Sequence, residues 1–296
     1  MFALDKDLQK SKSHIDEFGE IALRVLGYLP NVLSGFEDKG EYRIYYSDIA
    51  GTKKFIRPIN MRLFYADQES FKAAFDSLKH VFFRMRNKES NYTDSDSVLI
   101  DSTLYTIQQS IGAGLDLLVN PNSARKHIGN RFEELIKAIF TEIGVSNKKM
   151  VLQIPYETID GSKIYKCEND LIISPYNKVK STSSSLNQNE IVISAKTTSK
   201  DRMGKIFIDK ILLERFVGHP QKVIGIFLND VQRKEENNYS FTLVLGLFMV
   251  YTKFLTKLEG IYYLDIPPSA NKPPLSEYMR SFSQLLIYDL DGLLTP

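Results

Sequence analysis

Apolar residues recur at helical spacing through residues 3–27, 98–119 and 123–143, so the first half of the chain reads as mainly helical. Asp67 stands ahead of another such run and predicts a helix to about Arg86, because a short carboxylate there can accept the unpaired amides of a first turn. Gly112 and Gly114 weaken the 98–119 helix. Between the helices, residues 42–46 and 55–65 look extended. Asn120-Pro121-Asn122 breaks the pattern, and the boundary is placed there: a mainly helical accessory region over residues 1–120 and a second region over 121–296.

After the 123–143 helix, closed by Gly144, the runs become strand-like. Residues 151–155 and 164–174 flank Asp160-Gly161, a hairpin signal, since this dipeptide accepts the positive φ values of a tight turn. A Ser- and Asn-rich stretch over 175–189 predicts a loop. Strands are expected over 190–196, 222–228, 241–247 and 261–266, with helices over 200–217 and 276–290. That alternation predicts an α/β fold, a mixed sheet flanked by helices.

With 296 residues, 43% apolar and 25% charged, the composition is that of an ordinary globular protein. The longest apolar run, 243–251, is far short of the roughly 20 residues a membrane span needs, and the charged amino terminus carries no targeting signal. A cytoplasmic protein without membrane partners is expected. The single cysteine, Cys167, excludes a disulfide framework and is read as a small apolar residue. His14, His80, His127 and His219 are too scattered for a local metal motif. Net charge is only +2, so any anionic partner must be recognised by local clusters. Residues 51–66 carry Lys53, Lys54, Arg57 and Arg62 with no acid; residues 196–215 carry six bases against three acids. Such stretches are more often solvated faces than binding surfaces. The sixteen tyrosines and eighteen phenylalanines are expected mostly to fill core positions, with Tyr42, Tyr45, Tyr46 and Tyr65 as the candidates to meet bases.

The chemistry concentrates around two strand ends. Asp170 opens the apolar run Leu171-Ile172-Ile173, and the buried strand Ile191-Val192-Ile193-Ser194-Ala195 ends on Lys196. A carboxylate and an ammonium at neighbouring strand ends form either a salt bridge or half of a site. In the following helix Asp209 stands seven residues after Arg202, nearly two turns, so the two share a face. Asp170 and Asp209 then supply hard oxygens suited to Mg²⁺, which keeps several waters and prefers carboxylates plus substrate phosphate. Lys196 would orient or deprotonate a water and stabilise charge on phosphorus oxygens. Arg202 and Asp201 suit adjacent C·G pairs, since arginine forks onto guanine while aspartate accepts from cytosine. On the preceding helix, Glu133 lies at the edge of the apolar stripe and Glu134 on the exposed side, which makes Glu133 the better candidate.

These residues carry a resemblance. Gly129-Asn130-Arg131-Phe132-Glu133, then Asn169-Asp170, then Ser194-Ala195-Lys196-Thr197-Thr198-Ser199-Lys200-Asp201-Arg202 resembles the type II restriction endonucleases of the PD-(D/E)XK superfamily, and within it the branch that cuts CCGG, CCNGG or CCWGG. In that branch the acid of the usual acid-X-Lys triplet has moved to the following helix, thirteen residues after the lysine, where this chain has Asp209. The branch's base-reading motif matches Lys200-Asp201-Arg202. Asn169 replaces the proline of the superfamily pattern, and Asp209 the more usual glutamate. The resemblance spans about residues 123–228. It implies a PD-(D/E)XK core; Mg²⁺-dependent hydrolysis of double-stranded DNA at a palindrome containing CC and GG; and 5′-phosphate and 3′-hydroxyl ends. It further implies a homodimer or tetramer and a cognate methyltransferase. Its catalytic residues would be Asp170, Lys196, Asp209 and Glu133, the acids binding metal, with Lys200, Asp201 and Arg202 reading bases and Lys205, Arg57 and Arg62 meeting the DNA backbone. The alternatives are another nuclease of the same fold, acting in repair or on junctions, and a non-catalytic DNA-binding protein. Ala195-Lys196-Thr197-Thr198 is not the end of a P-loop, because no glycine-rich turn precedes it.

Overall fold

A computed structural model describes residues 3–200, 202–235 and 237–295. The chain opens with α1 (Leu4–Gln9) and α2 (Ile15–Val32), two helices where one was expected. The break between them is held by Lys12, whose ammonium turns back to Asp7 at 2.9 Å. The extended interval is a three-stranded antiparallel sheet, β1 (Gly35–Lys39), β2 (Tyr42–Ile49) and β3 (Thr52–Asn60), and residues 61–65 leave it in turns rather than continuing the strand. In α3 (Gln68–Arg86) the Asp67 carboxylate accepts from the Ser70 amide at 2.8 Å, the expected cap. Helix α4 (Asp94–Leu118) runs unbroken through its glycines. Gly112 lies against the Arg57 guanidinium and Gly114 against Leu8 and Val25, so the missing side chains admit close neighbours instead of fraying the helix.

Asn120 caps α5 (Pro121–Glu142), accepting from the Ser123 amide at 3.0 Å, and Gly144 ends the segment at φ +82°. The hairpin is β4 (Ser146–Thr158) with β5 (Gly161–Ser174). Ile159 and Asp160 form its turn, and Gly161, φ +107°, stands at the exit rather than inside it. Then come β6 (Ile191–Lys196), α6 (Arg202–Val217) and β7 (Lys222–Phe227), a crossover that makes β7 parallel to β6.

Two expectations are corrected beyond this point. The strand expected over 241–247 is the end of a hairpin, β8 (Val231–Lys234) and β9 (Asn238–Phe241), followed by helix α7 (Leu245–Phe254). A continuous apolar run has no period to separate strand from helix, and here the helix wins by packing on α6. The helix expected over 276–290 is divided: after β10 (Gly260–Tyr263), a short 3-10 turn at Leu275–Glu277 leads into an edge strand, β11 (Met279–Ser281), and helical turns resume over residues 282–294.

The main sheet is mixed, in the order β11-β10-β7-β6-β5-β4. Its side chains divide the interior in two. Ile191, Ile193 and Ala195 point into a core with Phe18, Tyr105 and Phe132, which draws on residues on both sides of residue 120. Val192, Phe227 and Tyr263 point the opposite way, into a core with Phe207 of α6 and Phe248 of α7. A buried polar link joins the two sheets: Asp265 accepts from the Tyr42 hydroxyl and the Asn60 side-chain amide, both at 2.9 Å. Burial pushes its carboxyl up to about 6. Among the described residues no helix is long and apolar enough to cross a membrane.

Candidate active site

Strands β5 and β6 pair from Ile173↔Ile191 to Leu171↔Ile193 and then separate. Separation leaves the Ala195 amide without a strand partner, and Asp170 supplies one, its Oδ2 accepting from that amide at 2.9 Å. The same oxygen forms a close ion pair with the Lys196 ammonium and lies 3.5 Å from the Ser194 hydroxyl. Alternation along β6 puts Ser194 and Lys196 on the α6 side of the sheet, which is why the lysine ending β6 meets Asp170, well inside β5. Asp170 thus has two tasks, closing the backbone at the fork and holding Lys196.

Helix α6 brings the second carboxylate. Arg202, Lys205 and Asp209 line one pocket of about 290 Å³ with Asp170, Ser194 and Lys196. The shared face expected for Arg202 and Asp209 is therefore turned into the site. Asp209 is paired with Lys205 one turn earlier, Nζ to Oδ1 2.7 Å. Glu133 reaches the site from α5, across the sheet. Its Oε1 is 3.7 Å from the Lys196 ammonium and its Oε2 accepts from Lys149 at 2.9 Å. That hydrogen bond holds the Lys149 ammonium above its ordinary pKa. Cys167 lines the pocket floor as a buried thiol whose pKa burial raises, in keeping with an apolar role.

Glu134 is not on an open face. It accepts from the Ser11 hydroxyl at 2.8 Å, the Lys12 amide at 2.9 Å and Arg131 at 2.7 Å, which pins residues 11–12 onto α5. The helical wheel placed it correctly on the outside of the stripe; the covering N-terminal segment could not be read from the wheel.

A second, basic cleft of about 600 Å³ opens at the carboxyl ends of β6 and β7, lined by Lys53, Lys54, Arg57, Arg125, Lys200 and Arg233. Arg57 sits there with both ends of its fork on Asp116, at 2.9 and 3.2 Å. Lys54 donates to the Leu117 carbonyl at 2.7 Å. Arg62 lies apart, exposed and paired with Glu41 at 2.6 Å. Lys200 and Arg202 consequently face different hollows, the cleft and the pocket, while Asp201 lies outside the described residues. The loop carrying them is positioned by Asp230, which is fully buried and accepts from the Ser199 and Thr242 hydroxyls. Burial raises its pKa against these donors. Ser199 in turn accepts from the Arg202 and Met203 amides, both at 2.8 Å, and so starts α6. Sequence reasoning missed Ser194, Lys149, Arg125, Arg233 and Asp230. Only Ser194 carried a local signal, two residues before Lys196 on the same strand face.

The donor set suits a hard cation held by few protein ligands. Asp170 and Asp209 offer carboxylate oxygens to one partly open pocket, and among the described residues no group of three His, Cys, Asp or Glu is close enough to enclose a metal. Carboxylate oxygens are the donors a hard cation such as Mg²⁺ takes, with water and phosphate completing its shell.

A mixed sheet carries α5 on one face and α6 on the other, with a carboxylate and a lysine meeting at the fork of β5 and β6, and this α/β fold is shared with solved restriction endonucleases. Among solved structures, that of the Type IIP restriction endonuclease Kpn2I matches with a TM-score of 0.69 over 95% of this chain and 91% of that one, at 20% identity. The complex of restriction endonuclease PspGI with substrate DNA gives a TM-score of 0.43 over 76% of this chain and 92% of that one, at 12% identity. No protein-family model matches the sequence, and no curated protein does.

Proposed function

We propose that this protein is a type II restriction endonuclease that hydrolyses double-stranded DNA at a short palindrome containing CC and GG. The observation that carries the reading is the meeting of Asp170, Lys196, Arg202 and Asp209 in one pocket, on a fold shared with a Type IIP restriction endonuclease. A salt bridge made only for stability would not need a second carboxylate and an exposed arginine aimed at the same hollow.

In this reading Asp170 and Asp209 hold Mg²⁺, with Glu133 contributing through water. The ion, when bound, neutralises phosphate charge and acidifies water. Lys196, kept between Asp170 and Glu133, holds the attacking water in line with the scissile phosphodiester and stabilises negative charge on its oxygens. Cleavage breaks the bond from phosphorus to the 3′ oxygen, leaving a 5′-phosphate and a 3′-hydroxyl. Lys205, more than half-exposed, is free to turn from Asp209 toward a phosphate. Arg202 and Lys200, with Asp201, read the C·G pairs. Arg57 acts on the DNA backbone through the positive rim of the basic cleft, its Nε and Nη2 donating to Asp116. Arg62 meets the backbone at an outer position. Symmetric cutting of a palindrome requires a twofold dimer, alone or paired into a tetramer, and a cognate methyltransferase to shield host sites.

The test is digestion of plasmid and phage DNA with Mg²⁺ and with chelator, followed by sequencing of the fragment ends. Discrete Mg²⁺-dependent fragments sharing a CC/GG terminal sequence are expected. Cleavage with no common sequence would transfer the assignment to a repair or junction nuclease, and none on unmethylated DNA to a non-catalytic DNA-binding protein.

A further inference from the structure

Strand β6 pairs with β5 from Leu171 to Ile173, whereas β4 and β5 stay paired much further, from Met150↔Asn169 out to Thr158↔Gly161. The hairpin therefore leaves the main sheet as a two-stranded ribbon, and none of residues 153–166 is buried. Directly opposed residues share a face of such a ribbon, as do alternate residues of one strand. One side thus carries Leu152↔Cys167, Ile154↔Tyr165 and Tyr156↔Lys163. At its base, Leu152 and Cys167 belong to the core under α6, and Tyr165 lines the pocket shared by Asp170, Lys196 and Asp209. Further out, the same side leaves Tyr165 (49%) and Tyr156 (47%) in solvent together with Lys163. The other side carries Pro155↔Ile164 and Glu157↔Ser162.

We propose that the side carrying Tyr165, Tyr156 and Lys163 is a DNA-binding arm, which lies along the sugar–phosphate backbone flanking the bond to be cut. The inference rests on the endonuclease reading and adds a contact surface to it. Three observations favour duplex DNA as the occupant. The surface is continuous with the wall of the candidate site, so a strand with one phosphate in the pocket passes beside it. Its charge is complementary: Lys163 lies on this side, while Glu157 lies on the other and Asp160 in the turn. Lys163 pairs with Asp160 at 3.6 Å, an exposed contact that a phosphate readily displaces. The form also fits, because a two-stranded ribbon is an element that the grooves of a duplex admit, and tyrosine offers a ring to sugars and a hydroxyl to phosphate. From Asp170 to Lys163 the strand rises about 23 Å, seven residues at roughly 3.3 Å each. Laid along a duplex, that reaches about seven base pairs from the scissile phosphate.

The experiment is a fluorescence-anisotropy titration of the full chain onto a labelled duplex of about 30 base pairs, in chelator, over roughly 50 to 200 mM salt. Lys163→Gln should weaken binding and lower the slope of log affinity against log salt by about 0.9, the share of one phosphate contact. Tyr156→Ala/Tyr165→Ala should weaken binding with the slope unchanged. Ile164→Ser, at a residue 56% exposed on the other side, should bind as wild type does. In the wild type, acetylation of Lys163 should slow when the duplex is added, a readout that needs no variant. Wild-type affinity and slope in both ribbon variants, with Lys163 acetylated equally fast with and without duplex, would overturn the arm and leave its aromatic side to a protein partner. An equal loss in Ile164→Ser would also overturn it. A wild type that binds no duplex removes the endonuclease reading and the arm together, whereas one that binds duplex regardless of the ribbon variants removes the arm alone.

Discussion

Replacing Lys196 with alanine removes the cation paired with both Asp170 and Glu133, and its effect can be sized from the geometry. The ammonium lies in contact with Asp170 and 3.7 Å from Glu133, on a side chain 25% exposed. A phosphate oxygen gaining charge at a similar distance, about 4 Å, interacts with that ammonium by about 4 kcal/mol at an effective dielectric near 20. Such a loss in the transition state slows the reaction roughly 10³-fold. Ground-state DNA binding should change little, because phosphate contacts elsewhere in the basic cleft remain. The assay is single-turnover cleavage of a cognate duplex, paired with a mobility-shift titration on the same DNA. Asp170 keeps its bond to the Ala195 amide in the variant, so the β5–β6 fork should survive and thermal unfolding should move only slightly. Cleavage at the wild-type rate would refute the site assignment; parallel loss of binding and cutting would make Lys196 a DNA anchor.

Three further outcomes are expected. Glu134→Ala should destabilise the fold by about 3 kcal/mol, because it strands the buried Arg131 and releases residues 11–12, whereas Glu133→Gln should leave stability nearly unchanged and impair cleavage; urea unfolding of both variants separates the roles. Arg202→Ala should weaken binding to the cognate duplex far more than to random DNA, and equal losses would mark it as a phosphate contact. Asp265 has its pKa raised from 3.8 to about 6, so its contribution to stability is full below about pH 4 and is lost as pH rises through 6. Asp265→Asn, which does not titrate, should therefore gain on the wild type by up to roughly 3 kcal/mol between pH 4 and pH 7.5. A stability difference that stays constant across that range would show that the carboxyl is not protonated in the fold.

How much of the molecule was legible in advance varied with the kind of signal. Where a pattern is local, it was reliable: the Asp67 cap of α3, the positive-φ glycines at 144 and 161, and the strand ending on Lys196; Asn120-Pro121, read as a breaker, instead caps and starts α5. It failed for the strand expected over 241–247, because an unbroken apolar run is equally a buried strand and a helix with two apolar faces. It also failed for Gly112, read as a weak point, whose missing side chain makes room for Arg57.

By itself, then, the order of residues singled out the candidate site residues, Asp170, Lys196, Asp209 and Glu133, and determined the mixed α/β character of the fold, since residue type and short-range period are properties of the chain alone. Tertiary structure decided the rest: that β5 and β6 part just where Asp170 must take the Ala195 amide, that Glu134 clamps the N-terminal segment while Glu133 faces Lys196, and that Lys200 and Arg202 open onto different hollows. Each of these depends on groups more than a dozen residues apart, or on where two neighbours point once the loop between them is fixed. No local pattern encodes such distances, because they are set by the packing of whole elements against two cores.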